Sequence, residues 1–421
     1  MNTQAPSKSA LDVIEAYTSP SGHQIIGAFK DWRLSSAFQP IVSLAHETIV
    51  GCEGLLRATD CENNPVSPLA VFAKTKDISE SVLLDRLCRN IHLRNYQTLG
   101  LDTGWLFVNV NPRVVVDGKN YGSYFLDLLK RYRFPAHRIV VEMLEGAIQD
   151  EALLAEAVRY YKELGCLVAI DDFGAGHSNF ERIWRQGPHI VKLDRSMIVR
   201  AANSPKVRRL LENIISLLHE AECLVIAEGV ETEEEALISI DGGADFAQGY
   251  YFSKPSSELA SQTDLSEIFF RLKDKFQLLS TSELEGQRRY LAPYHLSMQN
   301  AIAALAAGGT LEVACFKLLN QDKVLRCYLL DETGRQIGIN LCPAKQHLHT
   351  DPRYAPLANP QEANWSRRPY FRRAIEQPNQ VQLTRPYLSI TDARMCMTLS
   401  VATQIDKKTQ VLCCDLDWDK D

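Results

Sequence analysis

Between residues 36 and 255 short apolar runs alternate with amphipathic stretches, and this alternation limits the fold more than any other feature of the chain. The runs cover 37–44, 48–56, 105–111, 138–143, 167–173, 189–194, 224–229 and 246–252. They are rich in Val, Ile and Phe, and most are continuous, as expected of strands buried on both faces of a parallel sheet. Amphipathic helical patterns at 80–99, 121–133, 151–165, 205–222 and 232–242 lie between them. Eight strands with interleaved helices predict an α/β fold, a (β/α)8 TIM barrel. One junction departs from the rule. Between residues 44 and 48 there is room only for a tight turn, so the first two strands should form a hairpin and the barrel should contain one antiparallel strand.

After Pro255 the pattern changes. Residues 265–305 read as one or two long helices, with Phe269, Phe270, Leu272, Phe276 and Leu279 at spacings of three and four. Strand-like runs follow at 311–319, 324–331, 380–383, 395–401 and 410–417, and the turn DETGRQ precedes Ile337. This predicts an α+β module built on an antiparallel sheet. The expected organisation is an N-terminal extension or helix at 1–30, the barrel at 31–260, a connecting helix at 261–305 and the α+β module at 306–421. A chain of 421 residues can bury enough surface to need neither disulfides nor a structural metal.

Charge and cysteine usage narrow the function classes. The net charge of −6, from 46 basic and 52 acidic residues, gives no general affinity for a nucleic-acid polymer, though a few placed cations can still hold a small anion. Eleven scattered cysteines without a CxxC pair indicate a reduced compartment. No signal-peptide pattern opens the chain, and no run approaches the ~18 apolar residues of a membrane span. These features predict a soluble cytoplasmic protein without membrane insertion.

In a β/α barrel the active site lies at the C-terminal ends of the strands. Glu53 falls near the end of the second predicted strand, Asn109 in the third and Glu142 in the fourth. Asp171 and Asp172 close the fifth, Lys192 ends the sixth, Glu228 the seventh, and Gln248 lies in the last. Five acids converging on one mouth repel one another unless cations neutralise them. A pair of hard divalent ions, Mg²⁺ or Mn²⁺, is the reasonable neutraliser, because carboxylate and amide oxygens suit them. Two such ions suit in-line displacement at phosphorus. Lys192 would add positive charge beside the attacking water, and Glu228 would orient that water or take its proton.

At these residues the sequence resembles the EAL domain family of cyclic di-GMP phosphodiesterases. The stretches that carry the resemblance are FQPIVSL (38–44), EGLLR (53–57), FVNVNPR (107–113), VEMLE (141–145), IDDFGAGHSN (170–179), VKLDRSMI (191–198), AEGVET (227–232) and QGYYFSKP (248–255). The resemblance implies metal ligation by Glu53, Asn109, Glu142, Asp171 and Asp172, with Lys192 and Glu228 at the hydrolytic water. It implies Gln39, Leu56, Arg57, Asp194, Glu231 and Gln248 around the dinucleotide, and a loop after Asp172 steadied by Glu145. It also implies hydrolysis of cyclic di-GMP to linear pGpG with two Mg²⁺ or Mn²⁺ ions, Ca²⁺ being inhibitory. Two positions depart from the family pattern: Gly54 stands where the name motif has alanine, and Ala58 where an aromatic is frequent. They leave open an alternative in which the domain is a weak or inactive receptor for cyclic di-GMP.

The segments 364–378, 384–389 and 397–403 resemble Cache or PAS-like sensor folds. Trp365, Tyr370, Arg372, Tyr387 and Asp415 are the positions that could line a small-ligand pocket there. A homodimer is the expected assembly.

Overall fold

The computed structural model describes residues 9–118, 124–144, 151–176, 180–259, 262–344 and 360–418. It divides into two compact units, Met1–Gln277 and Leu278–Asp421. The division falls inside the long helix between them in sequence.

The first unit carries β1 (Thr18–Ser21), β2 (Gln24–Phe29), β3 (Trp32–Ser43), β4 (Thr48–Thr59), β5 (Pro65–Val66) and β6 (Trp105–Asn109). It continues with β7 (Ile139–Leu144), β8 (Leu167–Phe173), β9 (Ile190–Leu193), β10 (Leu224–Ala227) and β11 (Phe246–Ala247). Eight of these, β3, β4 and β6 to β11, close a barrel, because β3 pairs with both β4 and β11. β3 is antiparallel to both neighbours, and the other barrel pairings are parallel. The expected hairpin is present, with Ser43 opposite Thr48. Four connecting residues leave no length for a crossover helix, which forces the antiparallel direction.

Three departures from the sequence reading have physical causes. The N-terminal region holds the helix Ala10–Glu15, but residues 18–29 form the β1–β2 hairpin on the outer edge of β3. The last barrel strand stops at Ala247. Beyond it the backbone of Gly249 presses on Val230, where a Cβ would lie 2.0 Å from the Val230 carbonyl oxygen, so the chain leaves the ladder. Of the apolar stripe in the long helix Gln262–Ala306, Leu265, Phe269 and Leu272 enter the first unit's core, whereas Phe270 and Leu279 are exposed.

The second unit is built on an antiparallel sheet of β12 (Val324–Leu330), β13 (Gln336–Leu341), β14 (Gln382–Leu383), β15 (Tyr387–Leu388), β16 (Met395–Ile405) and β17 (Lys408–Asp417). The order is β13-β12-β17-β16-β14, with β15 also on β16. The run 311–319, expected as a strand, is the helix Leu311–Leu319. Ala314, Cys315 and Leu318 are buried while Val313 and Phe316 are exposed, which is helical and not two-residue periodicity. Short continuous apolar runs leave that choice open from sequence. Among the described residues, no helix is long and apolar enough to cross a membrane.

Candidate active site

The alternation of side chains along the barrel strands builds the site in two layers. Ile41, Phe107, Val140, Ala169, Ile190, Ile226 and Phe246 form one apolar cluster, six of them fully buried. Two residues further along each parallel strand stand Asn109, Glu142, Asp171 and Lys192, and Glu228 and Gln248 follow immediately after the ends of β10 and β11. Glu53 follows Gly51 in the same way. In antiparallel β3 the step is reversed, and Gln39 precedes Ile41 and pairs with Glu53. Apolar side chains thus plug the barrel directly beneath a polar layer.

Asp172 needs a different explanation, since neighbours on a regular strand point to opposite faces. The ladder between β8 and β9 shifts register between Ile170 and Phe173, and Asp172 adopts φ +59°. This left-handed residue, which aspartate tolerates better than most, interrupts the alternation. As a result Asp171, Asp172 and Glu228 bring one carboxylate oxygen each within 4.8 Å of one another.

Lys192 is the centre of the polar layer. It is 1% exposed, and its Nζ lies 2.5 Å from Glu228 Oε1, 2.6 Å from Glu142 Oε1, and 3.5 Å from both Glu53 Oε2 and Asp171 Oδ1. Burial disfavours its charge, yet Asp171, Glu142, Glu228 and Glu53 together hold its pKa well above the usual lysine value. The amides Asn109 Nδ2 and Gln248 Nε2 each donate to Glu53 at 2.7 Å. Burial opposes ionisation of Glu53, and Lys192 with these amides overcomes it and lowers its pKa. Glu142, fully buried beside Glu53, is pushed well above the carboxylate range by burial and that like charge. Burial likewise pushes Glu228 up to about 8. Asp172 is raised by burial and by Asp171.

One lysine thus faces five carboxyl groups. Elevated carboxyl pKa values are the mark of negative charge gathered beyond what the protein's own cations neutralise. Buried Gln248 Oε1 has no hydrogen-bond partner among the described residues. An all-oxygen donor set with surplus negative charge and a spare buried acceptor fits hard divalent cations.

The remaining expected residues are more dispersed. Gln39 lies inside the mouth, accepting from Gln248 Nε2 at 3.2 Å. Arg57 is exposed and donates to the adjacent Leu56 carbonyl, and its guanidinium has no carboxylate within ion-pair distance among the described residues. Leu56 is buried in the hydrophobic core, leaving only its backbone to offer polar contacts. Asp194 caps the helix Arg195–Asn203 by accepting from Ser196 N at 3.0 Å. Glu231 forms a two-pronged ion pair with Arg195. Glu145 and His177 lie outside the described residues.

A family model of the EAL domain matches residues 24–255, the barrel that carries this layer. The chain belongs to the EAL domain family. The chain is similar to the EAL-domain-containing protein YkuI of Bacillus subtilis, 27% identical over 346 residues that cover 79% of this chain and 82% of YkuI. The crystal structure of YkuI with cyclic di-GMP and calcium matches 92% of this chain and 97% of that chain with a TM-score of 0.76 at 23% identity, which shows a common fold. Other similar proteins are the cyclic di-GMP phosphodiesterase RocR of Pseudomonas aeruginosa, 25% identical over 58% of this chain and 63% of RocR, and the probable cyclic di-GMP phosphodiesterase PdeN of Escherichia coli, 28% identical over 56% of this chain and 46% of PdeN. The chain therefore spans about half to two-thirds of the length of these two relatives. The Klebsiella pneumoniae protein BlrP1, solved with manganese and cyclic di-GMP, shares the fold with a TM-score of 0.50 at 22% identity over 58% of this chain and 60% of that chain.

The two departures from the EAL pattern have local explanations. A Cβ on Gly54 would lie 3.1 Å from Cγ and 3.2 Å from Cβ of His92, a buried side chain on the helix Ile78–Tyr96. The His92 ring is fixed by Ser36 Oγ at 2.8 Å from its Nδ1, and Asn95 Nδ2 donates to that same Ser36 Oγ at 3.1 Å. His92 thus fills the space of the missing methyl and backs the strand beside Glu53. Ala58 is 4% exposed and packs in the core, so the absent aromatic is not a gap in the polar layer. Sequence reading singled out Gly54 but had no signal for its partner 38 residues away.

In the second unit, Trp365, Tyr370, Tyr387 and Asp415 line one cavity, as expected. Arg372 does not. It is exposed and donates to the Ser366 carbonyl at 3.4 Å, while Arg326 and Arg368 supply the cavity's cations.

Proposed function

We propose that this chain is a divalent-metal-dependent phosphodiesterase that hydrolyses cyclic di-GMP to linear pGpG. The reading rests above all on the layer of five carboxyl groups around Lys192. Glu53, Asn109, Glu142, Asp171 and Asp172 would hold two Mg²⁺ or Mn²⁺ ions. Bound there, the ions would supply an acidified water and neutralise charge on the attacking and leaving oxygens.

The protein's own groups account for the rest of the reaction. Water adds across one P–O bond of the ring, and one new hydroxyl and one terminal phosphate result. Glu228 would take the water's proton on a carboxylate oxygen. Lys192 stays protonated among its carboxylates and adds fixed positive charge where phosphoryl charge develops. Arg57, exposed at the end of β4, can grip a phosphate through two parallel hydrogen bonds. Gln39 and Gln248 hold one another and Glu53, which keeps that ligand aimed into the mouth. Asp194 and Glu231 would contact the nucleotide. Ca²⁺, which takes more ligands at longer distances than Mg²⁺, would bind the acids without supporting turnover.

The same reading makes the protein a cytoplasmic homodimer whose second unit regulates the barrel through a small ligand. Incubating the purified chain with Mg²⁺ or Mn²⁺ and cyclic di-GMP should yield pGpG on chromatography. Folded protein that binds cyclic di-GMP intact under these conditions would favour the receptor alternative and overturn the hydrolytic one.

A further inference from the structure

The carboxylate of Glu53 is held by the amides of Asn109 and Gln248, while the strand that carries it is backed from outside the barrel by His92. Alternation along β4 turns Cys52, Gly54, Leu56 and Ala58 away from the mouth. Cys52, Leu56 and Ala58 pack in the hydrophobic core through their own side chains, whereas Gly54 has none to offer. Ladder pairing with Phe38 and Val108 fixes Gly54 within the plane of the sheet. Movement out of that plane is opposed by packing alone. The His92 ring supplies this packing, since a Cβ on Gly54 would stand 3.1 Å from its Cγ. The ring also lies near enough to Glu53 for that carboxylate to act on it electrostatically.

His92 is itself clamped. Its Nδ1 lies 2.8 Å from Ser36 Oγ, which accepts a hydrogen bond from Asn95 Nδ2 at 3.1 Å. Asn95 grips both backbone groups of Ile25 in the β1–β2 hairpin, donating to the carbonyl at 2.8 Å and accepting from the N–H at 2.6 Å. Gln24 Nε2 of the same hairpin donates to the Ser36 carbonyl at 3.1 Å. Ser36, His92 and Asn95 are all buried, and buried polar groups are costly unless bonded. An apolar side chain would fill the space beside Gly54 equally well. What the bonded set adds is orientation: it links the hairpin, through His92, to the residue next to Glu53.

We propose that His92 is a positioning residue for Glu53, its ring, fixed by Ser36 and Asn95, setting the Gly54 backbone and so the aim of the Glu53 carboxylate into the divalent-metal site. The inference rests on the metal-binding reading given above and adds to it a residue outside the mouth on which the affinity for the ion depends. Groups that orient a ligand without touching the metal change its affinity by about 10–100-fold when removed.

The test is titration of the full, metal-free chain with Mn²⁺, the free ion being read by electron paramagnetic resonance. Cyclic di-GMP is left out, so turnover plays no part. Glu53→Ala calibrates the loss of the ligand itself. His92→Ala should weaken the Glu53-dependent Mn²⁺ at least about tenfold, and Ser36→Ala, which frees the ring without emptying its place, about threefold. The second variant decides the matter if the first folds poorly. Adding Gly54→Ala to His92→Ala should recover most of the affinity, because the methyl refills part of the space and stiffens the strand. Urea midpoints on the same proteins separate the roles: a purely structural His92 lowers the midpoint and leaves the Mn²⁺ affinity of the folded chain unchanged. Parent affinity in both His92→Ala and Ser36→Ala would overturn the proposal and leave the metal site standing, as would a loss that Gly54→Ala does not recover. A parent whose Mn²⁺ binding is indifferent to Glu53→Ala would overturn both.

Discussion

Each unit buries a cluster of charges, and the two clusters are balanced differently. In the barrel, Lys192 faces Glu53, Glu142, Asp171, Asp172 and Glu228, and several of these carboxyl groups are pushed above their ordinary range. In the second unit, Arg326 lies between Asp392 and Asp415; it also donates to Ser389 Oγ, and the Thr398 and Tyr328 hydroxyls donate to Asp415. The first arrangement is unstable on its own and calls for added cations. The second is nearly closed. Buried charge that the fold balances is architecture, whereas buried charge left in surplus marks a place where something else must bind.

That contrast can be broken first in the second unit. Arg326→Met removes the cation ion-paired to two buried carboxylates and should destabilise the unit by about 3–5 kcal/mol, read as a lower urea midpoint. Replacing Asp392 and Asp415 by Leu in the same chain should recover much of the loss. A neutral single substitution would show that the cluster is not the closed ion network described.

In the barrel the largest effect should appear in rate. Glu53→Ala and Lys192→Ala should each lower cyclic di-GMP turnover at least about a hundredfold, or about 2.7 kcal/mol of barrier. Near-normal rates in both would mean that the polar layer is not the reactive one. Gly54→Ala should cost about 1–3 kcal/mol of stability by overpacking against His92. In a His92→Ala background that cost should vanish, which a double-mutant cycle measures.

The smallest effect concerns pH. Burial lowers His92 to about 4, so the folded protein keeps the ring neutral while the unfolded chain protonates near 6.5. The stability this depressed pKa contributes is present above pH 6.5 and is lost as pH falls toward 4. His92→Gln should therefore lose less stability than the parent between pH 6.5 and 4.5, as judged by urea midpoints.

Much of the barrel was legible because its signal is periodic. Alternation between apolar runs and amphipathic stretches located all eight strands, and the four-residue link before Thr48 revealed the antiparallel one. The acids were legible because a parallel strand places its last inward side chain at the barrel mouth. What escaped was decided by contacts between distant residues. The β1–β2 hairpin is short and sits at an edge, and β11 ends where Gly249 meets Val230. The run 311–319 is equally apolar as helix or strand, and only its packing chose helix. Arg372 was expected at the cavity, yet it is Arg368, four positions earlier on the same segment, that faces the rings, and nothing local in the sequence says so.

Counting ions tests the central claim most directly. Titration of the metal-free chain with Mn²⁺ in the presence of cyclic di-GMP, followed by electron paramagnetic resonance, should reach two bound ions per chain and fall below that in Asp171→Asn. A parent chain that binds no more Mn²⁺ than Asp171→Asn would contradict the account, because the surplus of carboxylates around Lys192 would then be balanced by something other than metal.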